Sequence, residues 1–133
     1  MWVDHCTFDD GKHPDGNEPV RLGQRMQKHD GLLDITRQSD FVTVSWNHFR
    51  DHAKTSLVGG GDRATADEGR LRVTYHHNHW DGVKERAPRV RYGRVHLYNN
   101  LHTVADRARH GYSVGVGLQS RICLLYTSDA ADE

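Results

Sequence analysis

The chain has 133 residues, enough for one domain or for part of one. Its 18 basic and 18 acidic side chains cancel, so whole-chain charge gives no case for a nucleic-acid partner or an anionic membrane. No apolar run is long enough to span a bilayer, and only Cys6 reads as a native cysteine, which leaves no disulfide to argue.

In chain order, the first element is the short β-rich segment Val3-Asp4-His5-Cys6-Thr7-Phe8. Glycine, proline and Asx residues mark 9–17 as a turn-rich loop. His29-Asp30-Gly31 and Leu33-Asp34 follow. In a straight strand the two carboxylates would stand about 13 Å apart, at about 3.3 Å per residue, too far to share an ion. Gly31 permits a bend that brings both to one side.

Val44-Ser45-Trp46-Asn47-His48-Phe49 is the second β segment, and Asp51-His52-Ala53-Lys54 follows it. A second turn-rich loop runs from Gly59-Gly60-Gly61-Asp62 to Glu68-Gly69, with no catalytic role expected of it. Tyr75-His76-His77-Asn78-His79-Trp80 and Leu97-Tyr98-Asn99-Asn100-Leu101-His102 repeat the β pattern. Between them Arg86, Arg89 and Arg91 form a basic cluster around Pro88, which stiffens the backbone. Patterning weakens over 103–121. The stretch 123–133, from Cys123 to Glu133, reads as a translated sequencing adapter and is set aside as non-native.

These β segments stack on one another, with Cys6, Asn47, Asn78 and Asn100 at one position. Successive spacings are 41, 31 and 22 residues, and the last is about one coil of a β-solenoid. Inserted loops account for the longer gaps. The expected fold is all-β, with Asn47, Asn78 and Asn100 as an amide ladder and Val42, Val44, Val73, Val95 and Leu97 pointing inward. The competing arrangement is three unrelated strands of an antiparallel sandwich. His5, His52, His76, His77 and His96 invite a zinc reading. Neighbouring strand residues face opposite ways, however, so His76 and His77 should not share an ion, and stacked or hydrogen-bonded histidines in the coil wall are expected instead. Trp2, Trp46 and Trp80 are expected in the core or a groove wall.

Several motifs together resemble the calcium-dependent pectate lyase family, polysaccharide lyase family 1. They are Trp2-Val3-Asp4-His5-Cys6-Thr7-Phe8, His29-Asp30-Gly31, Leu33-Asp34, Asp51-His52-Ala53-Lys54, Val73-Thr74-Tyr75-His76-His77-Asn78, Arg86-Ala87-Pro88-Arg89-Val90-Arg91-Tyr92-Gly93 and Val95-His96-Leu97-Tyr98-Asn99-Asn100, in the family's order. The resemblance implies a right-handed parallel β-helix, of which residues 1–122 are part of a single domain truncated at both ends. It implies cleavage of de-esterified polygalacturonate by β-elimination, giving unsaturated oligogalacturonides. A pectin lyase acting on methyl-esterified pectin and a non-catalytic polysaccharide-binding β-helix are the alternatives.

Carried over by position, Asp30 and Asp34 are implied Ca²⁺ ligands. Arg86 holds the catalytic position, while Lys54 and Arg91 match substrate-binding positions. Arg91 is the alternative base, and a carboxylate clamp is the alternative role of Arg86. A guanidinium normally stays protonated, so a base here depends on the positive charge gathered around it. The family has a further acidic ligand upstream of the segment matching Trp2. It also commonly has an acid where this chain has Ala53, just before Lys54. With Met1 leading straight into a strand, the chain reads as an internal piece of a secreted, monomeric enzyme without nucleic-acid or membrane partners, and the isolated piece is expected to be inactive.

Overall fold

A computed structural model describes residues 1–103, 114–125 and 128–129. Three parallel faces run through it. On the first, β1 (Trp2–Asp4), β5 (Val42–Ser45), β8 (Arg72–His76), β11 (Arg94–Tyr98) and β14 (Arg121–Leu125) lie in that order. On the second, β2 (Thr7–Phe8), β6 (His48–Arg50), β9 (His79–Asp81), β12 (Leu101–Thr103) and β15 (Ser128–Asp129) follow the same progression. The third face carries β7 (Leu57–Val58), β10 (Arg89–Val90) and β13 (Gly115–Val116). Among the described residues the three middle coils give one short strand to each face, the first and last coils give strands to the first two faces, and successive coils pair in parallel, which makes the fold a right-handed parallel β-helix. The small hairpin of β3 (Val20–Arg21) and β4 (Gln24–Arg25) is an insertion outside the coils.

The core follows from strand alternation. Val42, Val73 and Val95 stand in register across the first face, as do Val44, Tyr75 and Leu97, and all six are buried. This bears out the inward positions read from the sequence. On the second face Phe8, Phe49, Trp80 and His102 form a stacked column with ring centroids 5.0, 4.5 and 5.8 Å apart. Ile35, Val58 and Val90 close the third side.

The amide ladder is present. Asn47 Nδ2 donates to Asn78 Oδ1 at 3.1 Å, and Asn78 Nδ2 donates to Asn100 Oδ1 at 3.0 Å. The same oxygens accept the backbone N–H groups of Asn47 and Asn78, so each side chain satisfies a buried corner as well as its neighbour. Cys6 takes the fourth position through its backbone N–H, which donates to Asn47 Oδ1. The spacing of 41, 31 and 22 residues therefore counts coils with loops of different length.

The residue before each ladder position turns the corner in left-handed backbone: His5, Trp46, His77 and Asn99 have φ of 53°, 53°, 54° and 50°. This corrects the expectation for His76 and His77. Strand alternation ends at His76, the turn at His77 swings its ring back, and the two Nδ1 atoms lie 2.9 Å apart. The expected stacking in the wall is found, with His76 on Tyr98 and His48 on His79. Of the tryptophans only Trp80 is in the core; Trp2 and Trp46 are exposed. Trp46 sits at the corner, stacked on His77 with centroids 4.4 Å apart.

Residues 123–125, set aside in the sequence, continue β14 in register with β11. Much of the weakly patterned stretch, 104–113, and most of the remaining tail lie outside the described residues.

Candidate active site

The turns between the second and third faces bring four of the five expected residues together. Asp30 and Asp34 sit on one bend, held against the next coil by the N–H groups of Leu32 and Leu33, which both donate to the Thr55 carbonyl at 3.1 Å. Gly31 allows this bend for a specific reason. A Cβ at that position would meet both carboxylate oxygens of Asp34 at 2.8 Å, so only glycine lets the Asp34 carboxyl fold back over it. The Asp30 carboxylate is close enough to help raise the pKa of Asp34, and Arg86 acts on both in the opposite direction.

Their environments differ. The ammonium of Lys54 donates to Asp30 Oδ1 at 2.7 Å and holds that carboxyl below the usual carboxylate range. Asp34 keeps an exposed edge, yet protein packed around its carboxyl pushes it up, against the pull of the Leu57 N–H donated to its Oδ1 at 3.0 Å and of Arg86. One oxygen of each carboxylate, Oδ2, has no hydrogen bond among the described residues. Two carboxylates on one bend, one of them disfavoured as an anion by its surroundings, fit a hard cation that takes oxygen ligands.

Lys54 pairs with Glu85 in an isolated parallel bridge between coils, and its Nζ also donates to Gln27 Oε1 at 2.6 Å. Arg86 is half-buried in left-handed backbone (φ 57°), and its carbonyl accepts the Ser56 N–H at 2.7 Å. Its Nε is buried without a hydrogen-bond partner among the described residues. Such a donor is costly to leave unpaired, which is a mark of a group kept ready for a ligand.

Arg91 lies past the other end of β10 and is held separately. Its Nε donates to Asp62 Oδ1 at 2.5 Å, and Tyr92 Oη donates to the Asp62 carbonyl at 2.5 Å. Asp62 comes from the glycine-rich loop, where sequence reasoning expected solvated turn. A second unexpected support is the buried pair of His52 and Asp10. His52 Nδ1 lies 2.9 Å from Asp10 Oδ2, and its Nε2 lies 3.4 Å from the Asp30 carbonyl oxygen, on the bend that carries both acids. The only hint in the sequence was that His52 stands two residues before Lys54.

The fold is thus a parallel β-helix with two acids and two cations gathered on its inter-face turns. Residues 1–127 match the family model described as pectate lyase, and the chain belongs to that family. It is 42% identical over 125 residues to the pectate lyase of Bacillus subtilis (strain 168), covering 92% of this chain and 30% of that protein. It is 48% identical over 121 residues to pectate lyase E of Dickeya chrysanthemi, covering 88% and 30%. A solved pectate lyase bound to a hexasaccharide superposes with a TM-score of 0.83 at 40% identity, over 92% of this chain and 32% of that one. The chain thus spans about a third of the length of the relatives it matches.

Proposed function

We propose that this chain carries the catalytic face of a secreted, calcium-dependent pectate lyase that cleaves de-esterified polygalacturonate by β-elimination. The observation that carries the reading is the convergence of Asp30, Asp34, Lys54 and Arg86 on one surface, with the Arg86 Nε buried and unpaired. The family relationship supports it, and so does the likeness to a relative whose structure holds a hexasaccharide.

β-Elimination removes the proton from C5 of a galacturonate and expels the glycosidic oxygen from C4, leaving a C4–C5 double bond. No water attacks, so the carboxylate pair of a glycoside hydrolase is not needed. The obstacle is the weak acidity of C5, which falls when positive charge meets the carboxylate that shares the developing negative charge. Asp30 and Asp34 are the residues that would hold Ca²⁺, which when bound supplies such charge. Arg91, with one nitrogen fixed by Asp62, has its remaining donors for the planar grip of a substrate carboxylate. Lys54 contributes a compact charge beside Asp30. Arg86, whose Nε is buried and unpaired among the described residues, takes the C5 proton. Free uronates rather than methyl esters match this set, because each cation needs an anionic partner.

The test is ultraviolet absorbance during incubation of the intact protein with polygalacturonate and Ca²⁺. Growth of the unsaturated-uronide band supports elimination. Reducing ends released without that band would mean hydrolysis, and no cleavage would favour a binding role.

A further inference from the structure

The second face of the β-helix holds a group of side chains that the proposed chemistry does not use. His48 on β6 and His79 on β9 are direct partners in the strand register, and their rings stack with centroids 4.6 Å apart and planes within 3°. Asp81 lies two residues beyond His79 and therefore on the same outer face. One ligating atom from each of the three lies within 4.8 Å of the others. We propose that His48, His79 and Asp81 bind a divalent transition-metal ion such as Zn²⁺, and that the ion pins one coil of the β-helix to the next.

Charge supports this assignment. Arg50 is the register partner of Asp81, and a cross-strand ion pair between them would have neutralised the site. The guanidinium instead turns to Asp9, with Nε 2.9 Å and one terminal nitrogen 2.6 Å from Oδ2. Asp81 is left facing the two imidazoles. The Thr103 hydroxyl donates to Asp81 Oδ1 at 2.6 Å, which leaves Oδ2 turned to His48.

Geometry agrees. Bonds of about 2.0–2.2 Å to nitrogen and oxygen place two tetrahedral zinc ligands about 3.3 Å apart. His48 Nε2 and Asp81 Oδ2 are already 3.3 Å apart. His79 completes the set by a small side-chain rotation that releases the Thr103 hydroxyl, now 2.9 Å from its Nε2. Thr103 then remains as the outer partner that orients Asp81. Two imidazoles and one carboxylate suit zinc, nickel or copper, whereas calcium prefers a set made of oxygens. The site is therefore chemically distinct from the Asp30–Asp34 bend, and it does not rest on the lyase reading.

The experiment is calorimetric titration of the chelator-stripped intact protein with Zn²⁺, at saturating Ca²⁺. One zinc per chain should bind, the melting temperature should rise with it, and Asp30→Ala should leave zinc affinity unchanged. Loss of an outer partner alone typically costs about 10–100-fold in metal affinity, so His48→Gln and His79→Gln should each cost at least about tenfold. If a histidine variant melts early without metal, Asp81→Asn, which keeps the side-chain shape, decides by the same criterion. No saturable zinc binding, or binding unchanged in the double histidine variant, would overturn the assignment.

Discussion

The Arg91 guanidinium is braced by Asp62, with Nε donating to Oδ1 across 2.5 Å. Asp62 reaches it from the glycine-rich loop, where Gly59 packs so closely on the Arg91 carbonyl that a Cβ there would lie 2.4 Å from that oxygen. The loop and the arginine are one unit, and the loop's glycine is a requirement of the close approach.

Asp62→Ala should therefore act on substrate binding. An ion pair with one exposed partner is worth about 0.2–1 kcal/mol, so KM for polygalacturonate should rise by up to about fivefold while kcat changes less. Initial-rate kinetics check this. A larger effect on kcat than on KM would mean that Asp62 acts on the chemical step instead.

The acid pair makes a second prediction. Asp30→Ala and Asp34→Ala should each weaken Ca²⁺ binding and shrink the calcium-induced rise in melting temperature, because binding to the folded state stabilises it by mass action. Since burial raises the Asp34 pKa, protons should compete with Ca²⁺ at a higher pH than at an ordinary carboxyl. Calorimetry with unchanged calcium affinity in both variants would rule the ligands out.

Much of this was legible in the sequence. The Asn ladder repeats one residue type at a fixed corner, so Asn47, Asn78 and Asn100 could be aligned despite unequal spacing. The inward valines followed from alternation alone. What alternation cannot foresee is a left-handed corner, and so it separated His76 from His77, which the fold joins. It also gave no means of placing Trp46 outside the core. The bend carrying Asp30 and Asp34 was legible because Gly31 sits between them. Asp62 and the buried Asp10–His52 pair were not, because each joins residues about 29 to 42 positions apart through turns whose path no local pattern encodes.

Asn78 is the middle rung of the ladder, and its side chain serves four groups: the Asn47 N–H, the Asn47 amide nitrogen, the Val44 carbonyl and the Asn100 amide oxygen. Replacement by alanine strands buried polar atoms, each at about 1–3 kcal/mol. Asn78→Ala should cost about 3–5 kcal/mol in chemical denaturation of the intact protein. A loss below about 1 kcal/mol would indicate that water replaces the rung.

His102 gives the pH dependence. Burial lowers its pKa to about 4, against an ordinary value of 6.5. Between those values the unfolded chain binds the proton that the folded state refuses, so stability is full above about pH 6.5 and falls as pH drops towards 4. His79 and His76 are lowered as well and act in the same direction. At about 1.4 kcal/mol per unit, His102 accounts for up to about 3 kcal/mol. His102→Phe, which continues the column of Phe49 and Trp80, should flatten this slope in denaturation midpoints compared between pH 5 and pH 7.

The most direct test of the central claim is the rate of unsaturated-uronide formation by Arg86→Ala in the intact protein. Loss of a positioned base typically costs about 10²–10⁴-fold, and loss of its charge adds to that. Arg86→Ala should therefore abolish the ultraviolet signal while the fold and most calcium binding remain. Arg86→Lys should rescue little, because reach and planar geometry both change. Near-normal turnover by Arg86→Ala, with the same unsaturated product, would contradict the account and move the base to Arg91.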